Sequence, residues 1–146
     1  MGAKLVQLTN ANIGVVAVNS NVPIGLTTVV YPGCFESGCP TYSVASSGSD
    51  TLVVNKPGTY QLIYNASLVA TDAGDLVLAL KVNGVTKYTV TVLAVAGGAV
   101  NVTIPFELYL PCNCLNNPAN IPASIQIQNT GVAITSGTSN LIISRE

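Results

Sequence analysis

The chain has 146 residues, of which 49% are apolar and 8% are charged, and its net charge is −1 at pH 7. This length suits one domain with one core. Because the five basic residues are scattered and histidine is absent, the composition disfavours nucleic-acid binding and excludes catalytic groups built on a histidine base. We therefore predict a protein that is not an enzyme and carries no cofactor.

The shortage of charge also bears on the surface. A surface of Val, Ala, Thr, Asn and Gly would be prone to association, which suggests that part of it is buried against other subunits. The alternative is a surface rich in Thr, Asn and Ser that keeps a monomer soluble. The first residues lack a signal-peptide core, and no apolar run is long enough to span a membrane. We expect no membrane partner.

The predicted elements are strands, because apolar residues recur at every second position between clusters of Gly, Pro, Asn and Asp. In the first third of the chain, short strands are predicted at 5–9, 13–18, 24–31, 42–45 and 52–55.

A long strand follows Pro57 and Gly58 and runs to Ala70, where residues 71–74 turn the chain. Asn83-Gly84 is the residue pair that a two-residue type I′ hairpin favours, so a return strand is predicted from Val85 to about Val95. The residues predicted to face the core are Tyr60, Leu62, Tyr64, Ala66, Leu68, Leu76, Leu78, Leu80 and Val82.

A second long alternation begins after Gly97-Gly98, and its Pro105 indicates an edge or bulged position because proline cannot donate to a ladder. Further short strands are predicted at 123–128, 132–135 and 140–144. About ten strands with frequent turns predict an all-β, two-sheet antiparallel sandwich of the jelly-roll type. The residues predicted to face the core in the second alternation are Val100, Val102, Ile104, Phe106, Leu108 and Leu110.

Three segments carry a family resemblance through their order and spacing. They are Pro-Gly-Thr-Tyr at 57–60, Leu-Ala-Leu-Lys-Val-Asn-Gly at 78–84 and Ser-Asn-Leu-Ile-Ile-Ser-Arg at 139–145. Together they resemble the C1q/TNF-like jelly-roll domain of bacterial and phage type, over roughly residues 41–146. The resemblance implies a homotrimer, and no collagen-like Gly-X-Y stretch precedes the domain as it does in C1q.

The segment 1–40 resembles the N-terminal part of small phage and prophage proteins, and we expect it to be a strand-and-loop segment that anchors the protein to a particle, sharing one core with the domain at 41–146. The resemblance implies capsid decoration or a head fibre on a bacteriophage virion. The partners would be a major capsid or fibre protein, with assembly in the bacterial cytoplasm and release with the particle. The alternative is a carbohydrate- or receptor-binding module that contacts a host-surface glycan through the cysteine-bearing loops and the Gly97-Gly98 loop.

Four cysteines form two loop clusters, Cys34 with Cys39 and Cys112 with Cys114. Disulfides between the clusters are one interpretation, since a ring closed by Cys112 and Cys114 would be strained. A structural zinc site of four thiolates is a second, although the C-x-C spacing is tighter than usual. Unlinked thiols are the third, and none of the three is catalytic.

Three further motifs have simpler explanations than a site. The sequons at Asn65 and Asn101 lie inside predicted strands and are interpreted as chance matches. Asp72 and Asp75 are too few for calcium and indicate a polar turn. Six tyrosines, at 31, 42, 60, 64, 88 and 109, could form a sugar-binding platform, but Tyr60 and Tyr64 share the core-facing set.

Overall fold

The computed structural model describes residues 4–31, 42–44, 50–54, 57–111 and 123–145, and the side chains of all of these except 4, 26–31 and 42–44. Within these residues the chain forms eleven strand segments and no helix, close to the ten strands predicted. The strands are β1 (Lys4–Asn10), β2 (Ser20–Asn21), β3 (Leu26–Tyr31), β4 (Tyr42–Val44), β5 (Leu52–Val54), β6 (Gly58–Ala70), β7 (Gly74–Val82), β8 (Val85–Ala94), β9 (Ala99–Leu110), β10 (Ala123–Asn129) and β11 (Ile134–Arg145).

The strands form two antiparallel sheets that pack face to face around one core. The five-stranded sheet has the order β3-β1-β11-β6-β9, and the six-stranded sheet has the order β4-β5-β10-β7-β8, with β2 also paired to β10. The predicted all-β antiparallel sandwich is therefore confirmed. Both β8 and β9 lie at an edge, on the same side of the sandwich.

The core-facing sets of the central strands are those that the alternation predicts. Tyr60, Leu62, Tyr64 and Leu68 of β6 are each at most 1% exposed. In β7, Leu76, Leu78 and Leu80 are fully buried and Val82 is 6% exposed. In β9, four of the six predicted residues are buried, and Val100 and Phe106 pack partly buried against the core.

The β7–β8 hairpin forms at the predicted turn. Asn83 and Gly84 have φ angles of 53° and 80°, which is the left-handed region that a type I′ turn requires at both positions. The side-chain Oδ1 of Asn83 also accepts a hydrogen bond from the backbone N–H of Ser124 at 2.9 Å. The turn is therefore held to β10 as well as to its own strands.

Pro105 lies at a sheet edge, as predicted. It is opposite Ile63 in β6, and no described strand of the five-stranded sheet lies on its other side, because β9 is the last strand in the order. An edge position tolerates proline because the missing N–H would have no ladder partner there.

The strand predicted at 13–18 is wrong. Only Val16 makes a β-bridge, to Ile134, and the buried residues are Ile13 and Val16, spaced by three rather than two. The backbone N–H groups of these two residues donate to the carbonyls of Gly137 and Ile134 at 2.8 and 2.9 Å. The segment thus follows the start of β11 as a loop instead of joining a sheet.

The two strands predicted at 132–135 and 140–144 are one strand, β11. The polar residues between them were expected to be a break, but all four pair with β6 on one side, and Ser139 pairs with Asn10 of β1 on the other. The pairing with β6 shifts its register between Ile134 and Ser136, near the start of the strand. Pairing with β6, together with the contacts that Ser139 and Gly137 make on the other side, keeps this polar stretch extended.

The two ends of the sandwich are identified by the first and last residues of β11. At the Arg145 end, Lys4 pairs with Arg145, and Gly58 pairs with Leu110. At the Ile134 end lie the loop that follows Asn10 and the turns at 71–73 and 95–98. The cysteines lie outside the described residues, but the strand ends that adjoin both cysteine segments are at the Arg145 end.

We expect the loop after β1 to show a sharp contrast between two neighbouring valines. Val16 is 2% exposed and Val15 is 79% exposed. Val16→Ala removes two buried methyl groups and should lower the free energy of unfolding by about 1–3 kcal/mol. Val15→Ala, the matched control, should change it by less than about 0.5 kcal/mol. Urea denaturation measures both, and equal effects would contradict this packing.

Candidate functional site

The outward face of the five-stranded sheet carries a row of apolar side chains across three strands. Ile142 of β11 pairs with Ile63 of β6, which pairs with Pro105 of β9. Their neighbours along the strands, such as Leu141, Tyr64 and Ile104, are buried in the core, so these three point away from it. Ile63 is 43% exposed. We call this set the apolar row.

Toward the Arg145 end, the next row of the same face holds one carboxylate. Gln61 pairs with Glu107, and its side-chain Nε2 donates to Glu107 Oε2 at 3.0 Å. Tyr109 follows on the same face and is 67% exposed. Among the described outward side chains of β1, β11, β6 and β9, Glu107 is the one carboxylate.

Toward the Ile134 end, two rows consist of amides and hydroxyls, and we call them the amide rows. Asn140, Asn65 and Thr103 lie opposite one another in the first row. Thr138, Ser67 and Asn101 form the second row. The face is thus apolar in its middle and polar but uncharged at the Ile134 end.

The edge formed by β8 and β9 leaves part of the core accessible. Val90, Val92 and Phe106 pack against the core and are only partly buried. Leu93, which lies on the outward side of β8, is 76% exposed. A long edge strand with accessible apolar residues is an association site unless it is protected. Here two features give slight protection. The register of β8 shifts next to Lys87, and β9 contains Pro105.

Beneath the amide rows, two hydroxyls are buried in the core. Tyr64 Oη and Ser139 Oγ are inaccessible, and neither makes a hydrogen bond of regular geometry within the described part of the chain. Burial raises the pKa of Tyr64 to about 12, and the neighbouring Ser139 hydroxyl opposes part of that rise. Burial also raises the pKa of Tyr60, against the opposing charge of Arg145.

Those residues singled out by sequence analysis that the structure describes do not come together as a metal or catalytic site. Cys34, Cys39, Cys112 and Cys114 lie outside the described residues, so the three interpretations of them, disulfides, a zinc site or unlinked thiols, remain predictions. Asp72 and Asp75 lie at the turn between β6 and β7, and no described group of three or more His, Cys, Asp or Glu residues could hold a metal ion. No described residue belongs to a helix suited to crossing a membrane.

The tyrosines divide between core and surface. Tyr60 and Tyr64 fill the sandwich, as predicted, while Tyr88 and Tyr109 are 37% and 67% exposed on different strands. The side chains of Tyr31 and Tyr42 are not described. Sequence reasoning did not find the apolar and amide rows, because they exist only once the register brings three strands together. The N-x-S/T pattern of the two sequons was their one visible signal.

Comparisons with known proteins identify the fold. Eiger TNF from S. frugiperda superposes with a TM-score of 0.72 at 10% identity, covering 100% of this chain and 94% of that one. The globular domain of zebrafish complement 1qA gives 0.64 at 11%, covering 96% and 94%. The vertex protein of phage PRD1 gives 0.57 at 18%, covering 98% and 95%.

These likenesses show the fold alone, which is the TNF/C1q jelly roll, as predicted. No protein-family model matches the chain, and no curated protein matches its sequence.

We expect the Tyr64 hydroxyl to make stability depend on alkaline pH. Its folded pKa of about 12 lies above its ordinary value of 10. The folded state therefore holds the phenol proton more tightly, so this contribution is fully present below pH 10 and is lost as pH rises toward 12. At pH 11 the loss is about 1 kcal/mol.

Urea denaturation at several pH values would measure this loss, and Tyr64→Phe should reduce the fall in stability between pH 9 and 11 by that amount. The remaining fall includes the contribution of Tyr60, whose pKa burial also raises. An unchanged pH dependence in Tyr64→Phe would contradict the burial of this hydroxyl.

Proposed function

We propose that the chain is a structural protein of a bacteriophage or prophage particle, a homotrimer that decorates a capsid or forms a head fibre. The observation that carries this proposal is the pair of weakly protected, charge-poor surfaces on one sandwich: the apolar row on the five-stranded sheet and the accessible β8–β9 edge. The fold is shared with the vertex protein of phage PRD1 and with TNF and C1q domains.

The two surfaces differ in shape, which favours a cyclic assembly. A sheet face and a sandwich edge are not self-complementary, so contact between them is heterologous and closes into a ring when the rotation allows it. In this arrangement Val90, Val92 and Phe106 of one copy would cover Ile63 and Ile142 of the next. The C1q/TNF-like resemblance implies three copies.

The energetics support such a contact without ion pairs. An interface of about 1,600 Å² in total, roughly 60% apolar, contributes on the order of 24 kcal/mol gross at about 25 cal/mol per Å². Association and side-chain ordering cost about 4–15 kcal/mol. The single carboxylate near the apolar row, Glu107, already accepts a hydrogen bond from Gln61, which lowers the cost of burying it.

Attachment to the particle is proposed for the segment 1–40. β1 is an interior strand of the five-stranded sheet and β3 is an edge strand, and the exposed large apolar side chains described in this segment are in the loop after β1. Val15 and Val18 are 79% and 49% exposed in the loop after β1. The proposed partner is a major capsid or fibre protein, reached through this loop.

A non-catalytic role agrees with the chemistry of the described residues. Apart from the buried tyrosines, the described ionisable groups are dispersed over both sheets and the turns. We propose that the protein is made in the bacterial cytoplasm and leaves the cell on the released particle. Purified particles that lack this chain, from a host that produces it, would contradict the virion assignment.

We expect the purified chain to form trimers in solution. Light scattering should give three times the chain mass of 14.9 kDa. Ile63→Lys places a charge in the apolar row, and because an unpaired buried charge is costly, the variant should run as a folded monomer. Val15→Lys, at an exposed site of the particle-facing loop, is the control and should remain trimeric.

Far-UV circular dichroism establishes that both variants retain the β fold. A wild-type monomer, or a trimer that Ile63→Lys leaves intact, would overturn the proposed assembly.

A second candidate function, binding of a carbohydrate or receptor, is favoured by the amide rows. Sequence analysis placed such a contact on the cysteine-bearing loops and the Gly97-Gly98 turn. The cysteine-bearing loops lie outside the described residues, whereas the amide rows of the five-stranded sheet form a surface whose side chains are described.

A further inference from the structure

Three adjacent strands of the five-stranded sheet each contribute one amide and one hydroxyl, two residues apart, to the same outward surface. β6 supplies Asn65 and Ser67, β9 supplies Asn101 and Thr103, and β11 supplies Asn140 and Thr138. They line an open groove of about 570 Å³ near the Ile134 end. We propose that this groove binds a neutral saccharide.

The hydrogen bonds of the groove orient two amides toward a ligand. Asn65 Oδ1 accepts a bond from Thr103 Oγ1 at 2.9 Å. Asn140 Oδ1 accepts bonds from Gln7 Nε2 at 3.0 Å and from Thr9 Oγ1 at 3.4 Å. With both carbonyl oxygens held, the two NH₂ groups remain to donate outward, since an amide carries two donors on its nitrogen.

The other side chains of the two rows are available. Asn101, Ser67 and Thr138 make no side-chain hydrogen bond within the described part of the chain. The groove therefore offers amide donors, an amide acceptor and hydroxyls that both donate and accept. These groups lie at strand spacings of about 4.8 Å across the sheet and about 7 Å along it.

The chemistry of the lining selects the class of ligand. No charged side chain lines the groove, so an ionic ligand would lose hydration without gaining an opposite charge. An apolar ligand would leave the amides and hydroxyls unpaired, which is also costly. A neutral molecule with many hydroxyls avoids both costs, because it carries no charge and can pair with the amides and hydroxyls. The volume falls within the range of about 300–1,000 Å³ that is common for small-molecule sites.

The same geometry explains the two sequons. In a strand, residues i and i+2 face one side, so a polar row on two neighbouring strands produces the patterns Asn65-Ala66-Ser67 and Asn101-Val102-Thr103. Ala66 and Val102, between the polar residues, are 6% and 2% exposed and face the core. The sequons are thus the lining of the groove, read along two of its three strands.

The groove deepens the second candidate function, on which it rests, and does not depend on the virion role. One copy supplies all six side chains, but Asn65 lies only two residues, about 7 Å, from Ile63 on the same face. A partner copy seated on the apolar row would reach the groove, so the Ile63→Lys monomer is the form in which saccharide binding is tested apart from trimer formation.

The test is a titration of isotope-labelled protein with neutral oligosaccharides of hexoses, deoxyhexoses and N-acetylhexosamines, with trigalacturonic acid as the charged probe. The side-chain NH₂ resonances of Asn65, Asn101 and Asn140 should shift and saturate with a Kd of about 10 mM or tighter for a neutral probe. The charged probe should bind more weakly. Silence of these resonances throughout the neutral panel, or tighter binding of the charged probe, would overturn the proposal.

The matched variants separate binding from folding. Asn101→Ala removes a side chain that makes no described hydrogen bond, so the fold should be unaffected and the affinity should fall about 2–10-fold. Thr91→Ala, at an exposed position of β8 on the other sheet, is the control and should bind as the wild type does. Unchanged affinity in Asn101→Ala would contradict the assigned groove.

Light scattering on the same samples keeps the two proposals apart. A wild-type monomer that binds the saccharide contradicts the virion trimer and supports the groove. An Ile63→Lys monomer that retains its fold and does not bind any neutral probe contradicts the groove alone.

Discussion

The two-residue period of the long strands is the constraint on which the rest of this molecule depends. In β6, β9 and β11, which have 13, 12 and 12 residues, every second side chain must enter a core shared with the opposite sheet. Tyr64, Ile104 and Leu141 do so completely or nearly so. Close packing leaves these positions little freedom, because a change of even one methylene is felt there.

The alternate positions are free of that constraint, and their side chains indicate which contacts the outward surface can make. An ordinary solvent-facing sheet would carry many charged residues. Here the outward face of the five-stranded sheet carries Glu107, an apolar row and two amide rows. Because the three central strands run side by side in register, each row continues across all three, so a pattern in one strand becomes a patch on the protein.

The patch is divided along the strand direction. The apolar row with Ile63 suits contact with another copy, since it gains from exclusion of water and loses nothing polar. The amide rows with Asn65 and Asn140 suit a hydrated, hydroxylated ligand, since their donors must be paired when water leaves. Tyr64 and Ser139 lie in the core beneath the amide rows, where their buried hydroxyls make this half of the core more polar than the rest.

The sequence by itself determined the strands with a regular alternation, their buried faces, the turn at Asn83-Gly84 and the edge position of Pro105. Each of these is a local property, fixed by the pleat or by the φ angles that a residue type permits. The sequence did not determine the loop around Val16 or the continuity of β11, because both depend on hydrogen bonds with residues far along the chain.

Only the tertiary structure decided which rows of side chains lie together. The register between β11, β6 and β9 places Asn140 beside Asn65 and Ile142 beside Ile63, and pairing across 70 or more residues leaves no trace in any local pattern.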